Sequence, residues 1–441
     1  MKKIFAFGNT GIEVSVPDDF NVVELGHRSA VALADESAAI DHALEHPIGC
    51  APLVEIAKGT KTAAISVCDI TRPAPNRTTL PPLLKRLHQA GIAKEGITIL
   101  IATGLHRVAT KSEVDLILGP EIARNYTVIS NDARAHGVHR FLGTTSRGTP
   151  VHIHERFMAA DLHITLGFIE QHLMAGFSGG RKLVAPGLAA EPTIKTIHSP
   201  RFMRERLATE GSIAGNCLHE ELLEIARMVR HDFMLDVTLT RERGISGVFA
   251  GEPVAAHSAG VQFLESTALE CIEEPADVVI TSAAGFPLDL TFYQTVKGVT
   301  AARHLVKRGG RILVVSECAE GVGSPEFARR MRELRSFEAF LEETAEAPVE
   351  VDQWQLEKLA LTGSQARLFF YTPGVGKRDL GFLGDSAFST IEEAMAAALE
   401  GLPRGARVAL VPEGPYTFAR AGLGDEGLAT LQAGRATAAD S

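Results

Sequence analysis

The segment IEQHLMAGFSGGRKLVAPG, Ile169 to Gly187, puts an imidazole, a glycine pair and two cations in one short stretch. His172 could move a proton near neutral pH. Ser178, Gly179 and Gly180 could let the backbone approach an anion closely. Lys182 could pair with phosphate or, if desolvated, act as a nucleophile. The stretch is neither GxxxxGK[ST] nor GxGxxG, and by spacing alone a tight turn with a surface lysine is the ordinary reading. A second histidine, His106, follows Thr103 and Gly104 in ATGLHR. One loop histidine is commonly structural; two, each behind a strand, could serve opposite faces of one substrate carbon.

Other segments add to these. Arg72 in DITRPAPN is stiffened by Pro73, and its planar fork matches a carboxylate; a solvated arginine paired with Asp69 reads equally well. Gln294 and Lys297 are three apart and Tyr293 and Lys297 four apart, so all three share one side of a helical turn after GFPLDL. Trp354 is the one tryptophan, and as a helix anchor it belongs in a core. His198 in TIKTIHSP says little unless a metal is present. His152 and His154 have strand spacing, and a half-exposed strand accounts for them better than a metal pair does.

The elements that must position these residues alternate. Apolar runs predict strands at Ala63–Cys68, Ile97–Thr103, Tyr126–Ser130, Asp161–Phe168, Phe233–Leu239, Asp277–Ser282, Arg311–Ser316, Ala366–Thr372 and Val408–Val411. Amphipathic stretches between them predict helices at Thr79–Gln89, Lys111–Leu118, His219–Val229, Val254–Cys271, Thr295–Lys307, Pro325–Thr344 and Ile391–Leu399. Such alternation gives an α/β fold with mostly parallel sheets. Ligands bind beyond the carboxyl ends of such strands, where these polar segments lie. The length, 441 residues, suits two domains, and IEEPAD at Ile272–Asp277 suits a boundary: residues 1–272 and 273–441.

Composition narrows the classes. The formal charge is −10 with no basic block, so nucleic acid is not expected as a partner. No apolar run reaches the ~20 residues of a membrane span, and MKKIFAFGNTG reads as a strand and turn rather than a signal peptide. Five scattered cysteines without CxxC read as reduced thiols. The expected location is the cytoplasm. The small, polar tail AGRATAADS is expected to fray.

The segments DITRPAPN, ATGLHR, GFIEQHLMAGFSGGRK, HS at His198–Ser199, GNCLHEEL, GFPLDLTFYQTVKG and DQW stand in one order from Asp69 to Trp354. In that order they resemble the lactate racemase family that uses a nickel-pincer nucleotide. The resemblance implies two Rossmann-like domains with the active site in the cleft between them. It implies a pyridinium mononucleotide with two sulfur-bearing arms, holding nickel(II) in a square plane that one protein histidine completes. Lys182 matches the lysine that forms a thioamide with one arm, and His198 matches the nickel ligand. Ser178, Gly179, Gly180 and Arg181 are then the expected phosphate contacts. His106 and His172 match the acid–base pair of a proton-coupled hydride transfer on a 2-hydroxy acid. Arg72, Gln294 and Lys297 match substrate contacts, Tyr293 and Trp354 the pocket wall, and Asp69 would orient Arg72 or a histidine. Leu173 and Met174 are candidates for the side-chain pocket, and Arg107 for a second carboxylate. Cofactor-maturation enzymes are the implied partners. The competing readings are a zinc hydrolase, which lacks HExxH, and a non-catalytic nucleotide-binding protein.

Overall fold

The computed structural model describes residues 1–135 and 137–422; the tail expected to fray lies outside the described residues. Two compact units are present. One takes in Ser29–His198 and Arg206–Glu265, the other Met1–Arg28, Ser199–Glu205 and Ser266–Ser441. The expected cut at 272/273 made no provision for the first 28 residues, which join the C-terminal sequence. The reason is a strand, Asn21–Glu24, that pairs in parallel with Arg407–Val411.

In chain order the strands of the two principal sheets are β1 (Asn21–Glu24), β2 (Ala63–Cys68), β3 (Ile97–Ala102), β4 (Thr127–Ser130), β5 (Leu162–Phe168) and β6 (Phe233–Leu239). They continue with β7 (Ile245–Gly251), β8 (Ala276–Ser282), β9 (Val306–Val315), β10 (Arg367–Tyr371) and β11 (Arg407–Val411). The first unit's sheet runs β7-β6-β5-β2-β3-β4 and is parallel except for β6 with β7. All residues of β2 and β5 are buried, as strands covered on both faces must be. The second unit's sheet, β10-β9-β8-β11-β1, is parallel throughout. One of its faces packs Phe292, Val296, Val299, Leu356 and Leu359 over Ile312 and Val314. The other packs Ala394, Met395 and Ala398 with Val278, Ile280 and Leu313.

Each sheet has one place where strand order reverses. In the first, β3 and β4 extend to one side of β2 while β5 lies on its other side. In the second, β9 and β10 extend from one side of β8 and β11 lies on the other. At such a reversal the connections leave in opposite directions and open a crevice beyond the strand ends.

Three predicted helices end early. The stretch predicted to run through Val254–Cys271 is helical only over Pro253–Ala268, and Glu270–Ile272 pairs as a short strand with Ala419–Ala421. The helix expected over Thr295–Lys307 covers Phe292–Ala302, because Val306 already belongs to β9. Pro325–Thr344 divides into Pro325–Glu333 and Phe337–Glu343, with Ser336 capping the second through the Ala339 amide. Among the described residues no helix is long and apolar enough to cross a membrane.

Candidate active site

The reversal in the first sheet gathers the chemistry. Asp69 and Arg72 follow β2, His106 follows β3, and His172 and Lys182 follow β5. His198 closes the helix Glu191–Ile197 in the same unit.

His106 is half exposed, and its Nδ1 lies 2.7 Å from Asp69 Oδ2. An ionised carboxylate accepts only, so Nδ1 carries the proton and Nε2 keeps its lone pair. Burial pushes the Asp69 carboxyl up. The hydrogen bonds from His106 and Thr71 and the charge of Arg72 outweigh it and hold Asp69 below the usual carboxylate range. Of the two roles expected for Asp69, orienting the histidine is the one its hydrogen bonds show.

His172 stands in a small hairpin, Gln171–His172 against Gly176–Phe177. Gly176 has φ 76° and a Cβ there would sit 2.2 Å from the Ser212 carbonyl oxygen, so glycine is required. The hairpin tip turns the amides of Met174 and Ala175 back onto His172 Nδ1, each at 3.3 Å. Nδ1 is therefore the acceptor and Nε2 carries the proton. The two histidines rest in opposite tautomers. Lys182 Nζ lies 3.0 Å from His172 Nε2. Burial, then the charges of Arg72 and Arg181, hold the Lys182 amine well below its ordinary value.

His198 Nδ1 donates to the Ile194 carbonyl at 2.8 Å, which leaves the unprotonated nitrogen at Nε2. Burial pushes His198 down to about 4, so it is neutral at pH 7. A backbone-anchored, neutral imidazole is the form a metal accepts. Among the described residues no group of three His, Cys, Asp or Glu could hold a metal ion. The zinc-hydrolase reading needs three such ligands and finds none grouped among the described residues.

Several of the donors expected to cradle a phosphate are committed within the unit, while Arg181 Nε is buried without a partner among the described residues. Ser178 Oγ donates to the Phe168 carbonyl and accepts from the Glu170 amide. The Gly180 amide donates to Asp236 Oδ2 at 2.7 Å. A Cβ on Gly179 would lie 2.2 Å from that oxygen. Arg181 is 2% exposed; its guanidinium donates to the carbonyls of Ala175 and Phe177, and its Nη1 lies 2.6 Å from His257 Nε2, which also meets the Ser178 carbonyl. Burial pushes Asp236 up to about 7 and Arg181 down to about 9. The loop is thus a brace that fixes Lys182 and the hairpin bearing His172. Asn216 extends the brace: its Oδ1 caps the helix Cys217–Val229 and its Nδ2 donates to the Met174 carbonyl. Asp236, His257 and Asn216 escaped the sequence reading, since each lies far in sequence from the loop it holds; GNCLHEEL was the one signal for Asn216.

Met174 is buried at 3% exposure and Leu173 is half-buried. Arg107 makes a two-pronged ion pair with Glu113, closing the capping box of the helix Lys111–Leu118, so its fork is already occupied. Cys68 and the other four cysteines are free thiols.

The second unit presents Tyr293, Gln294 and Lys297 on the helix Phe292–Ala302, which begins after the end of β8 at that sheet's reversal. Trp354 is 7% exposed and its indole N–H donates to Tyr293 Oη at 3.3 Å. The ring is both a core anchor and the support of Tyr293. Gln355 Nε2 donates to the Tyr293 carbonyl, and the Phe327 ring meets Tyr293 edge-on. Gln294 Oε1 is buried without a hydrogen-bond partner among the described residues, an acceptor left for something else.

Residues 7–211 match the model of the lactate racemase N-terminal domain and residues 271–417 that of the C-terminal domain. The chain is 35% identical to the lactate racemase of Thermoanaerobacterium thermosaccharolyticum over 74% of its own length and 76% of the relative's. It is 32% identical to that of Lactiplantibacillus plantarum over 86% and 90%. The solved lactate racemase apoprotein from T. thermosaccharolyticum superposes with a TM-score of 0.88 at 30% identity, covering 95% of this chain and 100% of that one. A solved Thermotoga maritima protein, 16% identical with a TM-score of 0.65 over 89% and 100%, shares the fold alone. The fold, the strand-end histidines and these likenesses agree, and the chain belongs to the lactate racemase family, a family of isomerases.

Proposed function

We propose that the chain racemises or epimerises a 2-hydroxy acid, lactate or a larger relative, with a nickel-pincer nucleotide attached through Lys182. The observation that carries this is the pair of strand-end histidines in opposite tautomers beside a desolvated lysine. The donor set fits the cofactor: the protein offers His198 as a single neutral imidazole, which suits a nickel whose other donors come with its ligand. The nickel-pincer nucleotide, when bound, supplies the site that accepts the C2 hydride and returns it.

The chain's own residues do the rest. His106 Nε2 takes the hydroxyl proton of one enantiomer, and the Asp69 carboxylate stabilises the imidazolium that results. His172 is the second acid–base group of the reading, serving the oxygen of the planar 2-oxo acid opposite His106. The other enantiomer uses the same pair in reverse. Arg72 holds the substrate carboxylate, Gln294 and Lys297 contact its oxygens, and Tyr293 with Trp354 walls the pocket. Ser178 Oγ and the Gly180 amide are committed within the unit and help to place Lys182, while Arg181, whose Nε has no partner among the described residues, stays the proposed phosphate contact with the Gly179 loop. Maturation enzymes that deliver the cofactor are the partners, and five free thiols suit the cytoplasm.

The test is a panel of single-enantiomer 2-hydroxy acids on protein co-expressed with the maturation enzymes. Racemisation of at least one acid, with nickel and a covalent adduct in the same sample, is the expected result. Loaded protein that racemises none of them would overturn the reading.

A further inference from the structure

We propose that His172 has a task that precedes the reaction: it donates its Nε2 proton to Lys182 and so holds that side chain as a neutral amine ready for acylation. The proposal deepens the reading of Lys182 as the attachment point and rests on it. Its warrant is the direction of three hydrogen bonds. The Met174 and Ala175 amides both point at His172 Nδ1. An N–H on Nδ1 would face two donors, so the ring proton sits on Nε2. Lys182 Nζ, 3.0 Å from Nε2, must then present a lone pair, which an ammonium does not have. Desolvation and the nearby charges of Arg72 and Arg181 act in the same direction. The brace that buries Arg181 among the carbonyls of Ala175 and Phe177 ties the hairpin of His172 to the loop of Lys182, so the two side chains are set together.

The chemistry balances without an oxidant or reductant. The amine nitrogen bonds to the thiocarboxyl carbon of the cofactor arm. One proton from the amine and one from the thioacid leave with the carboxyl oxygen as water, and a thioamide remains. Its nitrogen shares its lone pair with the C=S group and no longer accepts a hydrogen bond. His172 Nε2–H then loses Lys182 as its acceptor. Loading therefore changes the hydrogen bonding of His172.

The experiment uses cofactor-free full-length protein and acetyl N-hydroxysuccinimide ester in limiting amount. Acetylation of each lysine is read by peptide mass spectrometry between pH 6 and 10. Lys85, which is exposed, is the internal reference. In the wild type Lys182 is expected to react at pH 7 with a midpoint well below that of Lys85. His172→Ala should slow Lys182 by up to about tenfold at pH 7, the worth of one hydrogen bond, and raise its midpoint. His172→Gln, which retains an N–H donor, should recover part of the loss, and His106→Ala should leave Lys182 unchanged. A wild-type Lys182 that titrates like Lys85, or a folded His172→Ala variant with unaltered rate and midpoint, overturns the proposal. The attachment reading is judged apart, by intact mass after co-expression with the maturation enzymes. An adduct that persists in Lys182→Ala sinks that reading, whatever the reactivity of the amine.

Discussion

Asp69 and His106 show how a single hydrogen bond fixes a tautomer. Asp69→Asn keeps the shape but offers Nδ1 an amide that can donate, so the ring can turn its lone pair the wrong way. We expect kcat to fall by about 10²–10⁴ with a smaller change in KM. Steady-state kinetics on loaded protein check this, and an unchanged kcat would remove Asp69 from the proton path. The two histidines give a second expectation. His106→Ala and His172→Ala should each lose racemisation in both directions, because turnover needs one base and one acid. In single-turnover experiments His172→Ala should still oxidise the enantiomer served by the His106 Nε2 lone pair, whereas His106→Ala, whose remaining ring carries its proton on Nε2, should stall on that enantiomer. If both variants stall on the same enantiomer, the two-base assignment is wrong.

At the scale of elements, the segment Ser199–Glu205 is tied to the helix Gln353–Gly363 within its unit. Arg204 pairs through Nε and Nη2 with Glu357, whose side chain is fully buried, and donates to the Leu341 carbonyl and Thr344. Lys358 Nζ, on the same helix, donates to the Met203 carbonyl. This helix carries Trp354 and so the support of Tyr293. Arg204→Ala leaves Glu357 buried without its cation, which costs about 3 kcal/mol or somewhat more. A lower urea midpoint is the expected result, and a midpoint within error of the wild type would show the pair to be dispensable.

The whole molecule buries several histidines as neutral rings. Burial pushes His154 and His231 down to about 4 and His219 to about 3, from an ordinary value of 6.5. Between pH 6.5 and about 4 the unfolded chain binds protons that the folded chain refuses. Stability from these groups is therefore complete above pH 6.5 and falls as pH is lowered toward 4. Asp236, pushed up to about 7, acts oppositely, since its folded form holds a proton that the unfolded chain gives up above 3.8. With His198, also pushed down to about 4, four rings oppose one carboxyl, so the thermal midpoint of cofactor-free protein should drop from pH 7 to pH 4.5. A flat or rising profile would show that these rings are not neutral in the folded state.

The alternation of apolar runs and amphipathic stretches determined the α/β fold, because strands covered on both faces, such as β2 and β5, must be apolar throughout. Position behind a strand also singled out Asp69, Arg72, His106, His172 and Lys182 as candidates, and the fold puts each after a strand's carboxyl end. Tertiary structure decided which partners those side chains meet. The tautomers of His106 and His172 depend on Asp69, 37 residues from His106, and on two amides turned back by a hairpin. The cations of SGGRK read alike in sequence. Yet Arg181 faces carbonyls and His257 while Lys182 faces His172, a division set by β6 and the helix Pro253–Ala268 behind the loop. Hydrophobic period is a local property of the chain, whereas proton location follows from which donor and acceptor the folded chain brings within 3 Å or so of each other.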